Sequence, residues 1–368
     1  MLLSAALIVR DEEEQLRGCL GSVEKLVDEV VVVDTGSLDG SRDVARHFGA
    51  RVEEFAWCED FSAARNRGLD LVRGDWVLYI DADERVLPCD FGVVRAQLAD
   101  PAYAGYEVLL RPRPRYTPYW ILRLFRSDPT IRFRGVIHEN IWPAVEAYAG
   151  GVSHVGRSPL LLDHAGYEGD QVRKHRRNLP LLRAALRDDP SSIYCWCHLA
   201  DIHTALGEPD LALCALETAL AMVRAKPLLS PDDSLPYVRL IHRGMDSGHD
   251  VSALLAEARE RFPENAQLMW FEGRDHIASG RFESAIPLFL RLARFGETRE
   301  FDCSSAFDSR IFGVLSYDSL ATCCFRLGRY QESRRYYQLA EAADPGRLDY
   351  RAKQALCARL AHGGGGNA

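Results

Sequence analysis

Along the first half of the chain, short apolar runs alternate with amphipathic stretches. Ala5 to Val9, Val30 to Val33 and Val52 to Phe55 are the runs, and patterns of helical period over Glu13 to Leu26 and Ser41 to Phe48 lie between them. That alternation predicts βαβ units and a parallel sheet. A further helix is expected over Phe61 to Val72, leading into Trp76 to Ile80, which is apolar throughout like a strand covered on both faces. After Pro88 the pattern loosens. Strand-like pieces at Tyr106 to Leu110, Tyr119 to Phe125 and Leu160 to Leu162 alternate with Gly and Pro, and read as a mixed-sheet continuation. In such sheets ligands gather at the carboxyl ends of strands, here Arg10 to Glu13, Asp34 to Asp39 and Asp81 to Glu84.

From about Gln171 the texture changes: Leu, Ala, Arg and Glu dominate and β-branched runs vanish. Pro190 to Gly207 and Pro263 to Gly280 each span 17 positions, with Trp196 and Trp270 at similar places inside them. "LADIHTALGEPDLALCALETAL", "DHIASGRFESAIPLFLRLA" and "LATCCFRLGRYQESRRYYQLAEAADP" each put a Gly between two helical patterns. This resembles the tetratricopeptide repeat, whose Gly closes the turn and whose Ala lets the helices approach. Gly207, Gly248, Gly280 and Gly328 are 41, 32 and 48 residues apart, so the repeats are irregular. The expected division is an α/β domain over 1–170, an all-α solenoid over 171–362 and a flexible tail from Gly363 to Ala368.

Composition adds exclusions. With 368 residues, 47% hydrophobic and 27% charged, the chain is globular and long enough for two soluble domains. A net charge of -8 gives no global attraction to nucleic acid or to an anionic membrane. The apolar Leu2 to Val9 stops at Arg10, far short of the roughly 20 residues of a membrane span, and has no basic start of a signal peptide. Ten scattered cysteines with no CxxC pair point to buried thiols in a reducing cytoplasm; Cys195/Cys197 and Cys323/Cys324 have the wrong spacing for zinc.

Asp81 and Asp83 follow the apolar strand two residues apart, so their side chains leave it on the same side, as suits a divalent cation that also holds phosphate oxygens. An acidic turn after a strand is the ordinary alternative. Asp34 ends an earlier strand in "VVVVDTGSLDGS", where Gly36, Ser37 and Asp39 suit a tight turn and a helix cap, and where a carboxylate is able to accept hydrogen bonds from a nucleoside. "FSAARNRG" puts Arg65 and Asn66 on a helix returning to the sheet.

"EVVVVDTGSLDGS", "CEDFSAARNRGLD" and "GDWVLYIDADERV", in this order, resemble the GT-A fold, family 2 glycosyltransferases over roughly residues 4 to 167. The resemblance implies that Asp34 holds the nucleoside, that Asp81 and Asp83 hold Mn²⁺ or Mg²⁺ on the diphosphate, and that Arg65 and Asn66 lie beside the nucleotide. It departs at Asp11, where Asn is frequent, and at Leu38, where Thr is usual. Glycosyl transfer also needs a base for the incoming hydroxyl or thiol. "FRGVIHENI" supplies Glu139 as that base and His138 beside it; by the resemblance, His164 in "LLLDHAGY" is the third metal ligand. In the Arg-rich run from Arg111 to Arg134, Arg123 and Arg126 are expected nearest the site.

The pairing with helical repeats is similar to sublancin-type peptide S-glycosyltransferases, which implies an inverting enzyme that takes a nucleotide-diphosphate sugar, a UDP-sugar foremost, and a peptide, protein or glycan acceptor. A cell-envelope or lipopolysaccharide-core glycosyltransferase is the alternative, and a non-catalytic repeat adaptor is the reading from another class. Nucleic acid is not an expected partner; an oligomer through the repeats is a further expectation.

Overall fold

A computed structural model describes residues 1–150, 154–165, 171–298 and 303–363. The chain forms β1 (Leu3–Val9), α1 (Glu13–Val23), β2 (Glu29–Asp34), α2 (Ser41–His47), β3 (Arg51–Glu54), α3 (Phe61–Leu69) and β4 (Trp76–Tyr79) in the predicted alternation. Then come β5 (Glu84–Val86), α4 (Phe91–Gln97), β6 (Gly105–Arg111), β7 (Tyr119–Arg126), α5 (Trp142–Ala149) and β8 (Val155–His164). The sheet order is β3-β2-β1-β4-β7-β6-β8-β5. β3, β2, β1 and β4 are parallel neighbours, and β7 then joins β4 antiparallel, so the sheet is mixed as expected.

Burial on both faces explains the valine run. Val31, Val32 and Val33 are wholly inaccessible, as are Trp76, Val77 and Leu78. Leu16, Leu20, Val44 and Val94 from α1, α2 and α4 cover one face with Leu7 and Trp76; Val145 of α5 packs with Val77, Phe125 and Phe133 on the other. At about 25 cal/mol per Å² of apolar surface, each fully buried side chain of this size contributes roughly 1.5–3 kcal/mol.

Register delivers the strand ends. Ala6 pairs with Tyr79 and Val9 with Asp34, so Arg10, Thr35 and Asp81 emerge along one edge. β1 is also where the order turns from β2 to β4, a topological switch point.

The helices are α6 (Gln171–Asp188), α7 (Ile193–Ala205), α8 (Pro209–Ala225), α9 (Leu235–Asp246), α10 (Ser252–Arg261), α11 (Ala266–Ala278), α12 (Phe282–Thr298), α13 (Val314–Arg326), α14 (Tyr330–Ala343) and α15 (Asp349–Gly363). Two compact units result. One is Met1–Pro114 with Pro118–Ala219, which takes in α6 and α7; the other is Arg115–Thr117 with Leu220–Ala368. In the second, α11 and α12 show the expected repeat chemistry. Gly280 takes φ +72° and donates to Ile277 O while Arg281 donates to His276 O, closing the helix in a left-handed turn that a side chain would strain. Gly273 lies against the Phe289 ring, where a Cβ would come within 2.6 Å, so the absence of a side chain sets the helix spacing. Apart from Gly363, which ends α15, the expected tail lies outside the described residues.

Candidate active site

A cleft of about 520 Å³ opens where β1, β2 and β4 end. Its lining includes Arg10, Glu12, Thr35, Arg65, Asp81, Asp83, Arg123, His138, Glu139 and His164, with Lys174, Arg177 and Asn178 from α6. Most of the candidates read from the sequence therefore meet in one place.

The α3 motif explains how Arg65 reaches it. Asp60 caps the helix by accepting from Ala63 N at 3.0 Å. Phe61 N donates to Val136 O, Ser62 Oγ to Gly135 O at 2.6 Å, and Asn66 Nδ2 to Phe133 O at 3.0 Å while its Oδ1 accepts from Phe133 N. α3 is thus fastened along residues 133–136, and the loop beyond is closed by mutual backbone hydrogen bonds between Arg134 and Asn140. Glu139 is presented at its tip to Arg65 Nε. Asn66 is in this way a clamp on the Phe133 backbone, which corrects its expected contact with the nucleotide.

Arg65 holds Asp81 with its other arm, Nη2 to Oδ1 at 2.7 Å. Arg123 pairs with Glu84 and lies 3.4 Å from Asp81 Oδ2; Glu84 in turn accepts from Asp81 N at 3.0 Å. Both guanidinium groups lie over the Tyr79 ring, at 5.1 and 4.2 Å from its centre. Burial pushes the Asp81 carboxyl up, but Arg65 and Arg123 outweigh it and hold it well below the usual carboxylate range. Glu84 moves the other way: burial raises it, Arg123 offsets only part, and the Asp81 charge adds to the rise. Asp81, expected on a metal, is thereby committed to two arginines.

Asp83 faces His164 Nε2 at 3.2 Å. β5 sets this pair, since Glu84 is the register partner of His164 and Ala165 N donates to Asp83 O at 2.7 Å. The hydrogen bond to Asp83 raises the His164 imidazole above its ordinary value against the effect of burial. Among the described residues no group of three or more His, Cys, Asp or Glu converges as a ready-made metal site. The open pair nevertheless offers one carboxylate and one imidazole, and a phosphate-bound Mg²⁺ or Mn²⁺ takes few protein ligands, with phosphate and water completing its shell.

Two further candidates sit differently from expectation. Asp34 is buried at the end of β2 and spends Oδ1 on Gly36 N and Ser37 N, forming its own turn beside Thr35. Arg126 is a correction. β7 runs antiparallel to β4, with Trp76 opposite Arg126 and Leu78 opposite Leu124, so Arg123 reaches the carboxyl end of β4 and Arg126 the amino end. There Arg126 lies over Trp76 and donates to Tyr103 O and Asp100 O. His138, at φ +53°, lines the cleft beside Glu139 and packs its ring at a tilt against His198 of α7 at 4.4 Å and edge-on to Tyr194 at 5.0 Å; burial lowers its imidazole and Glu139 opposes this. The departure at Asp11 and Leu38 is a paired one: Asp11 Oδ1 accepts from Leu38 N at 2.7 Å.

Tyr79, Lys174 and Arg177 belong to the site but were not foreseen, and Arg10, Glu12 and Glu84 lie in strand-end segments expected to gather ligands but were given no individual role. Glu84 follows the two aspartates directly, and the run "RKHRRN" in α6 was visible in the sequence. Further along α6, Leu181, Leu182 and Leu186 are buried.

Two known families match parts of the chain. Residues 4–143 match glycosyl transferase family 2, and residues 252–299 match a tetratricopeptide repeat. A TPR repeat-containing protein of Synechococcus elongatus is 34% identical over 61% of this chain and 58% of its own length. The SPbeta prophage-derived glycosyltransferase SunS of Bacillus subtilis is 25% identical over 52% of this chain and 46% of its own. The chain thus spans about half the length of the curated relatives it matches. Among solved structures, S. aureus TarS 1-349 superposes with a TM-score of 0.40 at 14% identity, covering 71% of this chain and 91% of that one.

Proposed function

We propose that this chain, which carries a glycosyl transferase family 2 domain at residues 4–143 and a tetratricopeptide repeat at 252–299, moves a sugar from a nucleotide-diphosphate sugar, a UDP-sugar foremost, to a peptide or protein side chain with inversion at the anomeric carbon. The observation that carries the reading is the convergence in one cleft of Asp83 with His164 and of Glu139 with Arg65. Asp83 and His164 would hold Mn²⁺ or Mg²⁺, which when bound supplies positive charge to the diphosphate as it leaves.

In the transfer, the acceptor oxygen or sulfur bonds to the anomeric carbon on the face opposite the diphosphate. The carbon–oxygen bond to the phosphate breaks with its electron pair, and the acceptor proton passes to Glu139. Arg65 fixes the Glu139 carboxylate and ties it to Asp81, so base and donor-side acid move as one piece. Arg123 and Glu84 anchor that piece from below.

In this reading the sheet domain, with α6 on its cleft, does the chemistry and the later helices to residue 362 present the acceptor, as extended helical-repeat surfaces hold extended chains. A cytoplasmic setting accords with ten cysteines, none in a disulfide. Among the described residues no helix is long and apolar enough to cross a membrane. The reading is tested by offering a panel of nucleotide sugars and scoring nucleoside diphosphate release with Mn²⁺ and with chelator. Turnover that is indifferent to metal would remove the assignment of Asp83 and His164.

A further inference from the structure

The cations of the cleft fall into two sets. Arg65 and Arg123, at its floor, are each paired with carboxylates. Lys174 and Arg177, one helical turn apart on α6, are different: among the described residues no carboxylate comes within ion-pair distance of either. Arg177 is held over the Phe61 ring at 5.5 Å, and its Nε donates to Asn178 Oδ1 at 3.0 Å. Arg10, from the end of β1, shares the wall and repels Arg177. Glu12 is the acid on this wall, within electrostatic reach of Asp83, Lys174 and Arg177 alike, so all four bear on a common space.

Like charges gathered on one wall cost free energy unless an anion joins them, and a lysine with an arginine at helical spacing makes a receptor for a phosphate. The position selects which phosphate. Both cations share the cleft with Asp83 and the end of β1, beside the switch point in strand order, and Glu12, which interacts with both of them, interacts with Asp83 as well.

We propose that Lys174 and Arg177 form the diphosphate-binding wall of the donor site, taking up the charge of the departing nucleoside diphosphate together with the cation at Asp83 and His164. This rests on the glycosyl-transfer reading and extends it, because α6 lies outside the segment that matches family 2. The first helix beyond the catalytic sheet is then part of the catalytic machinery. The electron pair released by the anomeric carbon–oxygen bond is stabilised partly by two protein cations and not by the metal alone.

The test is calorimetric titration of the full chain, with Mn²⁺ present, using UDP and uridine and, in parallel, GDP and guanosine. The wild type should bind one diphosphate more tightly than its nucleoside. In the double variant Lys174→Ala/Arg177→Ala that diphosphate should weaken by about 10- to 100-fold while nucleoside binding is unchanged. If the alanine pair loses its thermal transition, Lys174→Gln/Arg177→Gln keeps bulk and removes charge, and Lys174→Arg/Arg177→Lys should restore most of the affinity. Unchanged diphosphate affinity, or an equal loss for the nucleoside, would overturn the proposal, as would a rise confined to the acceptor KM. A wild type that binds neither diphosphate would instead overturn the glycosyl-transfer reading and this inference with it.

Discussion

Arg65 is the residue on which both halves of the site depend, because it neutralises Asp81 and Glu139 at once. Arg65→Ala leaves the partly buried Glu139 without its partner and Asp81 with Arg123 alone, and urea unfolding should show a loss of about 3–5 kcal/mol. Arg65→Lys keeps a charge but not the fork that spans both acids, and should recover only part of it. For Glu139→Gln, size and hydrogen bonding survive while proton acceptance is lost. Transfer to a hydroxyl acceptor should fall by about 10² to 10⁴, with donor affinity intact, and a thiol acceptor should suffer less. Unchanged turnover with an alcohol would pass the role to another group. Asp81, Asp83 and His164 were legible as cleft residues because each follows an apolar run, where period-two alternation and strand direction determine what is projected, whereas Glu139 sits on the loop closed by Arg134 and Asn140 and was read from its motif. Arg126 was misplaced because it is three residues from Arg123 on an antiparallel strand, and register decides which edge each one reaches. Glu84 lay in a segment expected to gather ligands, but its own role was missed because supporting Arg123 and the Asp81 backbone leaves no pattern along the chain.

Among the elements, β1 to β4 and their helices were legible because a strand covered on both faces has to be apolar throughout, and few other structures explain "VVVV" or "WVLYI". β5, α4 and α5 were not. β5 is a three-residue strand whose pairing with β8 is tertiary, and α4 and α5 are two-turn helices with weak periodicity. In the repeats, one network makes a measurable claim. Glu257 accepts from Arg224 at 2.8 Å and from Tyr237, joining α10 to α8 and α9. The Arg224 hydrogen bonds, and then that of Tyr237, outweigh burial and hold its carboxyl down at about 2. A depressed carboxylate adds stability above its unfolded value near 4.3, lost as pH falls toward about 2. Because the pair is partly exposed, Glu257→Gln should cost about 1 kcal/mol at pH 7 and nothing near pH 2. Thermal melts across that range check it, and a difference that persists in acid would count against this network.

At the scale of the whole molecule, chemistry and acceptor choice should separate along the chain. A fragment ending at Lys226 keeps the cleft with α6 to α8; it should still hydrolyse donor with water while transfer to a protein acceptor falls sharply. Equal transfer by the fragment would return the repeats to an adaptor or oligomer role. The change of texture at Gln171 was legible from composition alone, whereas the participation of α6 in the cleft was not, since a basic run reads equally well as a solvated face. The central claim is metal-assisted release of a nucleoside diphosphate from this cleft, and the most direct measurement compares wild type with Asp83→Ala across a panel of nucleotide sugars. The wild type should release diphosphate from one donor with Mn²⁺ or Mg²⁺ and stop in chelator, and Asp83→Ala should be slower by about 10² or more at the same protein stability. Release that continues undiminished in chelator and in Asp83→Ala would contradict it.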